Sequence, residues 1–213
     1  MDNLITLGEI MPFKNVIQGS EDIAKASGKL IIQRLKLPEV LLIQPRNVFN
    51  DRRGLFAETY RYGDLAKVVD GMPMMIQTNL SVSNPFTLRG LHYQLHEPQG
   101  KLVQIAAGKI FDVAVDLRRS SPNFGKWCGV VLDAKNPASV YVPPKFAHGF
   151  FSFEQGAVVI YQTTTYHDSA SDRTVRWDCP EIGISWPIGP GGMTIMSGKD
   201  RNALPLTEVE TFE

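Results

Sequence analysis

Five side chains of the types used in acid–base chemistry stand in short β-type runs of this 213-residue chain. The first is His92, in Leu88-Arg89-Gly90-Leu91-His92-Tyr93-Gln94. In a regular strand Arg89 and Leu91 face one way and Gly90, His92 and Gln94 the other, so His92 shares its face with a glycine that leaves room for a ligand. Imidazole is the side chain best tuned for proton transfer near neutral pH. The plainer reading of His92 is a core histidine satisfied by a neighbour.

Lys101 opens the run Gly100-Lys101-Leu102-Val103 among apolar neighbours. Most lysines are solvated surface charges; turned inward, Lys101 offers a cation where a carbonyl oxygen becomes an enolate. His148, in Val142-Pro143-Pro144-Lys145-Phe146-Ala147-His148-Gly149-Phe150, follows a proline-fixed turn. It reads either as a turn histidine on a backbone carbonyl or as a ligand contact in the same cavity. Tyr161 and Tyr166 stand on the last clear β-run, at an odd spacing that sends them to opposite faces of a regular strand. Packing in a core or interface is the plain reading for both. Met196-Ser197-Gly198-Lys199-Asp200 reads as a polar turn in which a buried carboxylate could hold His92 and favour its protonated form.

A metal centre is the obvious rival. Jelly-roll proteins of the cupin type often carry His-x-His and a nearby Glu on one strand and a further His on a later one, whereas the pair here reads His92-x-Gln94. An amide in place of an imidazole removes much of the affinity for a divalent transition metal. His96 and Glu97, which could compensate, fall at the start of a Glu97-Pro98-Gln99-Gly100 turn. The expectation is no metal and no cofactor.

The elements that must position these residues are mostly strands. Candidates are 40–44, 74–82, 87–94, 101–107, 109–117, 127–132, 138–142, 147–153 and 157–166, separated by Gly, Pro, Asn and Asp. Within 109–117, Ile110, Asp112, Ala114 and Asp116 share one face, and Phe111, Val113, Val115 and Leu117 the other. Only Tyr62 to Asp70 reads as a short helix between strands. Residues 1–38 carry mixed helical signals, as from Asp22 to Ile32, and read as an N-terminal arm ahead of a single domain over 39–213. Many short strands with few helices predict an all-β fold, a double-sheet jelly roll or barrel that can hold a small ligand in its mouth.

Composition bounds the rest. Lys plus Arg equal Asp plus Glu at 22 each, so no basic field argues for nucleic acid or an anionic membrane. No apolar run approaches the ~18–20 residues that span a bilayer, and Met1-Asp2-Asn3-Leu4 lacks a secretory signal's basic region and apolar core. Cys128 and Cys179 give neither a disulfide framework nor a four-ligand zinc site, which fits a reducing cytoplasm.

Taken together the motifs resemble one family, the dTDP-4-dehydrorhamnose 3,5-epimerases, a branch of the cupin-like jelly rolls. The resemblance runs from about Pro45 to Leu206. It rests on Asp51-Arg52-Arg53-Gly54-Leu55-Phe56-Ala57-Glu58, Gln77-Thr78-Asn79, the segment around His92, Gln99-Gly100-Lys101-Leu102-Val103, Asp112-Val113-Ala114-Val115-Asp116-Leu117-Arg118, Phe146-Ala147-His148-Gly149-Phe150 and Ser197-Gly198-Lys199-Asp200. It implies a cupin-like double-stranded β-helix, a homodimer, and an active site inside each barrel for a nucleotide-linked 4-keto-6-deoxyhexose, with dTDP the expected nucleotide. The family's catalytic histidine falls on His92, its partner aspartate on Asp200, its lysine for the enolate on Lys101 and its proton-donating tyrosine on Tyr161. Tyr166 matches the tyrosine that stacks on the base. Arg53, Glu58, Gln77, Asn79, Arg89, His148 and Lys199 match contacts to the nucleotide sugar, some from the neighbouring subunit.

Two departures bear on the nucleotide and sugar rather than on the reaction class: Leu80 stands where the family usually has a polar residue, and Asp172 where many members carry a nucleotide-contacting Glu. The competing readings are an epimerase of one carbon only, a ketoisomerase of the same fold, and a non-catalytic sugar-binding cupin. Tyr161 favours an epimerase, because inversion needs an acid opposite the base.

Overall fold

The computed structural model describes residues 28–213. Its strands are β1 (Leu30–Arg34), β2 (Leu41–Pro45), β3 (Val48–Asp51), β4 (Gly54–Ala57), β5 (Gln77–Ser83), β6 (Leu88–Gln94), β7 (Lys101–Asp116), β8 (Trp127–Asp133), β9 (Ser139–Val142), β10 (Phe146–Thr163) and β11 (Asp172–Thr174). The helices are single turns, α1 (Tyr62–Leu65) and α2 (Gly198–Arg201), with a 3-10 turn at Pro190–Gly192.

Two long strands make the jelly roll. The first half of β7 pairs with β9 and its second half with β8; the first half of β10 pairs with β6 and its second half with β5. β7 and β10 pair with each other on both sides of the corner, across a shift in register between Ser152 and Ala157. One wall is therefore β8-β7-β10-β6-β11 and the other β1-β2-β9-β7-β10-β5, all antiparallel. The corner falls at Gly108 (φ +78°) and Gly156 (φ +68°), where a Cβ on Gly108 would lie 2.0 Å from the Gly156 carbonyl oxygen. Sequence breaks at these glycines suggested separate strands 101–107 and 109–117, and 147–153 and 157–166; each pair is one strand that bends without losing its partner, since glycine lets two backbones approach and turn together.

The alternation read in β7 holds, and the structure shows which face is inside. Ile110 and Ala114 pack inside, with Val103, Val130, Val140 and Val159. The uniformly apolar face, Phe111, Val113, Val115 and Leu117, points outward and is covered by the C-terminal segment through Val175, Ile182, Leu206 and Phe212. The carboxylate-bearing face thus lines the interior. At its far end buried Asp116 accepts from Arg118 and Ser121, and Arg118 also bonds Glu39.

The predicted helix over Tyr62 to Asp70 is one turn followed by further turns. β1, β3, β4 and β11 were not foreseen. The sheet begins at Leu30, ahead of residue 39 where the sequence put the start of the domain. Leu30, Ile31 and Ile32 are buried strand residues paired with β2, because an edge of three successive large apolar residues is better covered by a sheet than by one helix face. The rest of the predicted arm, residues 1–27, lies outside the described residues.

Candidate active site

Between the two walls is a cavity of about 260 Å³. His92 reaches it from β6 on one wall, with its side chain 35% exposed. Behind the ring stands Asp200, brought there by α2, a turn that exists because Ser197 caps it: the Ser197 hydroxyl accepts from the Asp200 N–H at 3.1 Å. His92 Nε2 and Asp200 Oδ1 are 2.5 Å apart. Burial works against ionisation of Asp200. Hydrogen bonds from the His92 ring, the Ser197 hydroxyl and the Gly90 N–H, with the charge of His92, nevertheless hold its carboxyl below the ordinary carboxylate value. An imidazole held this way can take a proton at its other nitrogen, Nδ1, and keep it as imidazolium.

Lys101 and Tyr161 come from the opposite wall. Lys101, the first residue of β7, is turned inward and buried, and its Nζ donates to the His92 carbonyl at 3.2 Å. Burial pushes its pKa down to about 8, against the attraction of Asp172 and Asp112 and helped by Lys199. Tyr161, half-buried on β10 opposite Asn79 and Val103, has its pKa raised by burial; Arg89 opposes the rise and Asp172 adds to it. Its phenol therefore keeps its proton at neutral pH. The cavity has a base–carboxylate pair on one face, a protonated acid on the other and a buried cation that reaches across to the first, which is what removing and returning a proton beside a carbonyl requires.

Arg89 corrects the sequence reading. Regular alternation turned it away from His92, yet both line the cavity. The pairing of β6 with β10 runs Phe150↔Arg89 and then His148↔His92, three steps against two, so a bulge resets the alternation. Gly90 (φ +125°) occupies the bulge, where a Cβ would come within 2.6 Å of Gly149 Cα. The Arg89 guanidinium donates to Ser83 Oγ at 3.0 Å and to the Val82 carbonyl at 3.2 Å.

His148 lies beside His92 on the same wall and is held by a carboxylate that sequence reasoning left out of the site: its Nε2 is 2.8 Å from Asp112 Oδ2, both residues buried. The signal was present in the alternation of β7, which set Asp112 on the polar face.

A model of the dTDP-4-dehydrorhamnose 3,5-epimerase family matches residues 34–208. The chain belongs to this family. It is 40% identical over 179 residues to the dTDP-4-dehydrorhamnose 3,5-epimerase of Pseudomonas aeruginosa, covering 84% of this chain and 97% of that one. With the Salmonella typhimurium enzyme of the same name it shares 39% over 180 residues, 84% of this chain and 96% of that one. The crystal structure of dTDP-6-deoxy-D-glucose-3,5-epimerase from Legionella pneumophila in complex with dTDP-4-keto-L-rhamnose superposes with a TM-score of 0.81 at 35% identity, over 85% of this chain and 95% of that one. The fold is the cupin-like one of these epimerases.

Most of the other residues matched to the family lie around the cavity rather than in it. Asp172, on β11, lines it and accepts from Lys199 Nζ at 2.5 Å. Gln77 donates to Asn79 Oδ1 at 2.9 Å, both on β5. Tyr166 lies past the end of β10, so strand alternation does not govern it; it is 69% exposed on the loop whose next residue, His167, lines the cavity. Arg53 and Glu58 are not gathered into the cavity. Arg53, at the tip of the β3–β4 hairpin, pairs with Asp51, and Glu58 pairs with Arg61. Gln94 does line the cavity, but its amide is spent on backbone groups.

Proposed function

We propose that the chain converts dTDP-4-dehydro-6-deoxy-D-glucose to dTDP-4-dehydro-L-rhamnose, by inverting the two carbons beside the ketone with His92 as base. The observation that carries this reading is the placement of His92–Asp200 and Tyr161 on facing walls, with Lys101 reaching from the Tyr161 wall to the His92 carbonyl. His92 Nδ1 takes the carbon-bound proton, and the electron pair of the broken C–H bond moves into the ketone to give an enolate. Lys101 stabilises the oxyanion. Tyr161 returns a proton to the same carbon from the other side, and the ketone re-forms with the centre inverted. Bonds to hydrogen are broken and made at the same carbon, so no oxidant or reductant enters. Arg89 suits the pyrophosphate as a planar fork, and Tyr166 offers its ring to the base.

The enzyme works as a homodimer in this reading. Among the described residues the β3–β4 hairpin pairs only with itself and exposes Phe49, Leu55 and Phe56. The outward face of edge strand β5 exposes Leu80 and Val82. Apolar surface of this extent calls for a cover, and a second copy laid across it would carry Arg53 and Glu58 towards the partner's cavity. Both cysteines are free and buried, which supports a reducing compartment, the cytoplasm.

The test is incubation of purified protein with dTDP-4-dehydro-6-deoxy-D-glucose and resolution of the sugar's diastereomers by NMR. The doubly inverted ketone is expected; an isomer inverted at one carbon would restrict the activity, a carbonyl moved to a neighbouring carbon would make the chain a ketoisomerase, and binding without any new isomer would make it a sugar-binding protein.

A further inference from the structure

The loop over residues 164–171, between β10 and β11, carries Tyr166 and reaches the rim of the cavity at His167. Tyr166 is 69% exposed, so the backbone beneath the ring, rather than packing around it, sets where the ring stands. That backbone is held from inside by Gln94, which is 3% exposed and lines the cavity. Gln94 Oε1 accepts from the Asp168 N–H at 2.9 Å, and Nε2 donates to the Tyr166 carbonyl at 3.2 Å and the Glu97 carbonyl at 2.8 Å. The amide thus grips the loop on both sides of His167 and ties it to the turn after β6. Lesser braces act nearby: Gln77 Oε1 accepts from the His167 N–H at 3.1 Å, and Thr165 Oγ1 donates to the same Glu97 carbonyl at 2.9 Å.

We propose that Gln94 is a positioning residue for the nucleotide: it fixes the rim loop that presents Tyr166, and so sets affinity for the nucleotide half of the substrate rather than the proton chemistry on the hexose. This rests on the reading that Tyr166 takes the base. The argument is one of donor and acceptor inventory. The site needs one acceptor for an N–H and two donors on a single atom for two carbonyls, within a buried wall. A glutamate has no donors, a histidine nitrogen has at most one, and asparagine is a methylene too short. Losing the amide leaves the Asp168 N–H and the Tyr166 carbonyl without their partner, and the loop restores those bonds by turning them towards water.

The test uses the full chain with Gln94→Glu, Gln94→Met and, outside the cavity, Thr165→Val. Calorimetry with dTDP gives the nucleotide affinity, steady-state kinetics gives KM and kcat, and hydrogen exchange reads the amides of His167 and Asp168. Both Gln94 variants are expected to raise the Kd for dTDP and the KM roughly tenfold, with a smaller loss in kcat and faster exchange at the two amides. Thr165→Val should shift Kd in the same direction by less, and it carries the test if the Gln94 variants fail to fold. A kcat that falls as far as KM rises, with dTDP affinity intact, would place Gln94 in the hexose chemistry and overturn the proposal; so would unchanged dTDP affinity in all three variants. If wild type does not bind dTDP, the functional reading falls and the brace with it. If wild type binds and Tyr166→Ala weakens binding while the three variants do not, the brace alone falls.

Discussion

His92 and Asp200 are 108 residues apart in the chain, and Nε2 of one lies 2.5 Å from Oδ1 of the other. A strand sets the ring and a serine-capped turn sets the carboxylate, so the pair is assembled by two elements that have no local reason to meet. The carboxylate is buried and the ring partly open, which leaves one ring nitrogen tied and the other free to work.

That division predicts a graded pair of losses. His92→Asn should remove solvent exchange at the sugar by roughly a hundredfold to ten-thousandfold, because nothing replaces the base. Asp200→Asn should be severe but milder, since an amide can still hold the ring yet cannot stabilise the imidazolium. Both should retain dTDP binding by calorimetry. An Asp200→Asn variant with wild-type exchange would reduce the carboxylate to a packing role.

Lys101 predicts opposite signs for activity and stability. Its pKa is near 8 in the folded chain against an ordinary 10.5. Below pH 8 the ammonium is charged in both folded and unfolded chains, and the fold bears the full cost of burying it, on the order of 3 kcal/mol. Between 8 and 10.5 the folded chain has released the proton that the unfolded chain keeps, so the cost shrinks and then vanishes. Lys101→Met should therefore abolish turnover and raise Tm at neutral pH, with the gain in Tm fading as the pH approaches 10.5. Wild-type activity should fall as pH rises through about 8, where the cation is lost. A lower Tm for the variant at neutral pH would make Lys101 a structural residue.

Tyr161→Phe should slow inversion far more than it slows exchange of the sugar's proton with solvent. His92, Asp200 and Lys101 still form the enolate, but the acid on the other wall is gone, and the base returns a solvent-derived proton to its own side. Deuterium uptake and epimer formation measured in one sample decide the matter; equal losses would mean that Tyr161 is not the acid.

The exposed hairpin predicts complementation. Arg53→Ala and His92→Ala, each impaired alone, should recover activity when refolded together, because a mixed dimer has one cavity with both lesions and one with neither. Activity of the mixture no greater than the average of the separate variants would mean that the hairpin serves its own cavity or none.

Much of this was legible in the chain. His92, Lys101 and Asp200 stand in short motifs whose residue types announce acid–base work, and the strand runs with their turn residues announce a jelly roll. What escaped depends on pairing. The bulge that swings Arg89 onto the side of His92 comes from the register of β6 against β10, which no local pattern encodes. The corner glycines Gly108 and Gly156 looked like strand ends because their partners keep pairing beyond the bend only in three dimensions. Asp112 lay on the expected polar face of β7, but the histidine it holds comes from a strand 36 residues on. Arg53 and Glu58 could be matched to a motif, yet a single chain gives them no cavity to enter.

The most direct test of the central claim is deuterium uptake from D2O into dTDP-4-dehydro-6-deoxy-D-glucose, followed by proton NMR at carbons 3 and 5 with wild type and His92→Ala side by side. Wild type is predicted to label both carbons as inversion proceeds and the variant to label neither. Labelling that persists in His92→Ala, or wild type that binds the sugar nucleotide and labels neither carbon, would contradict the account.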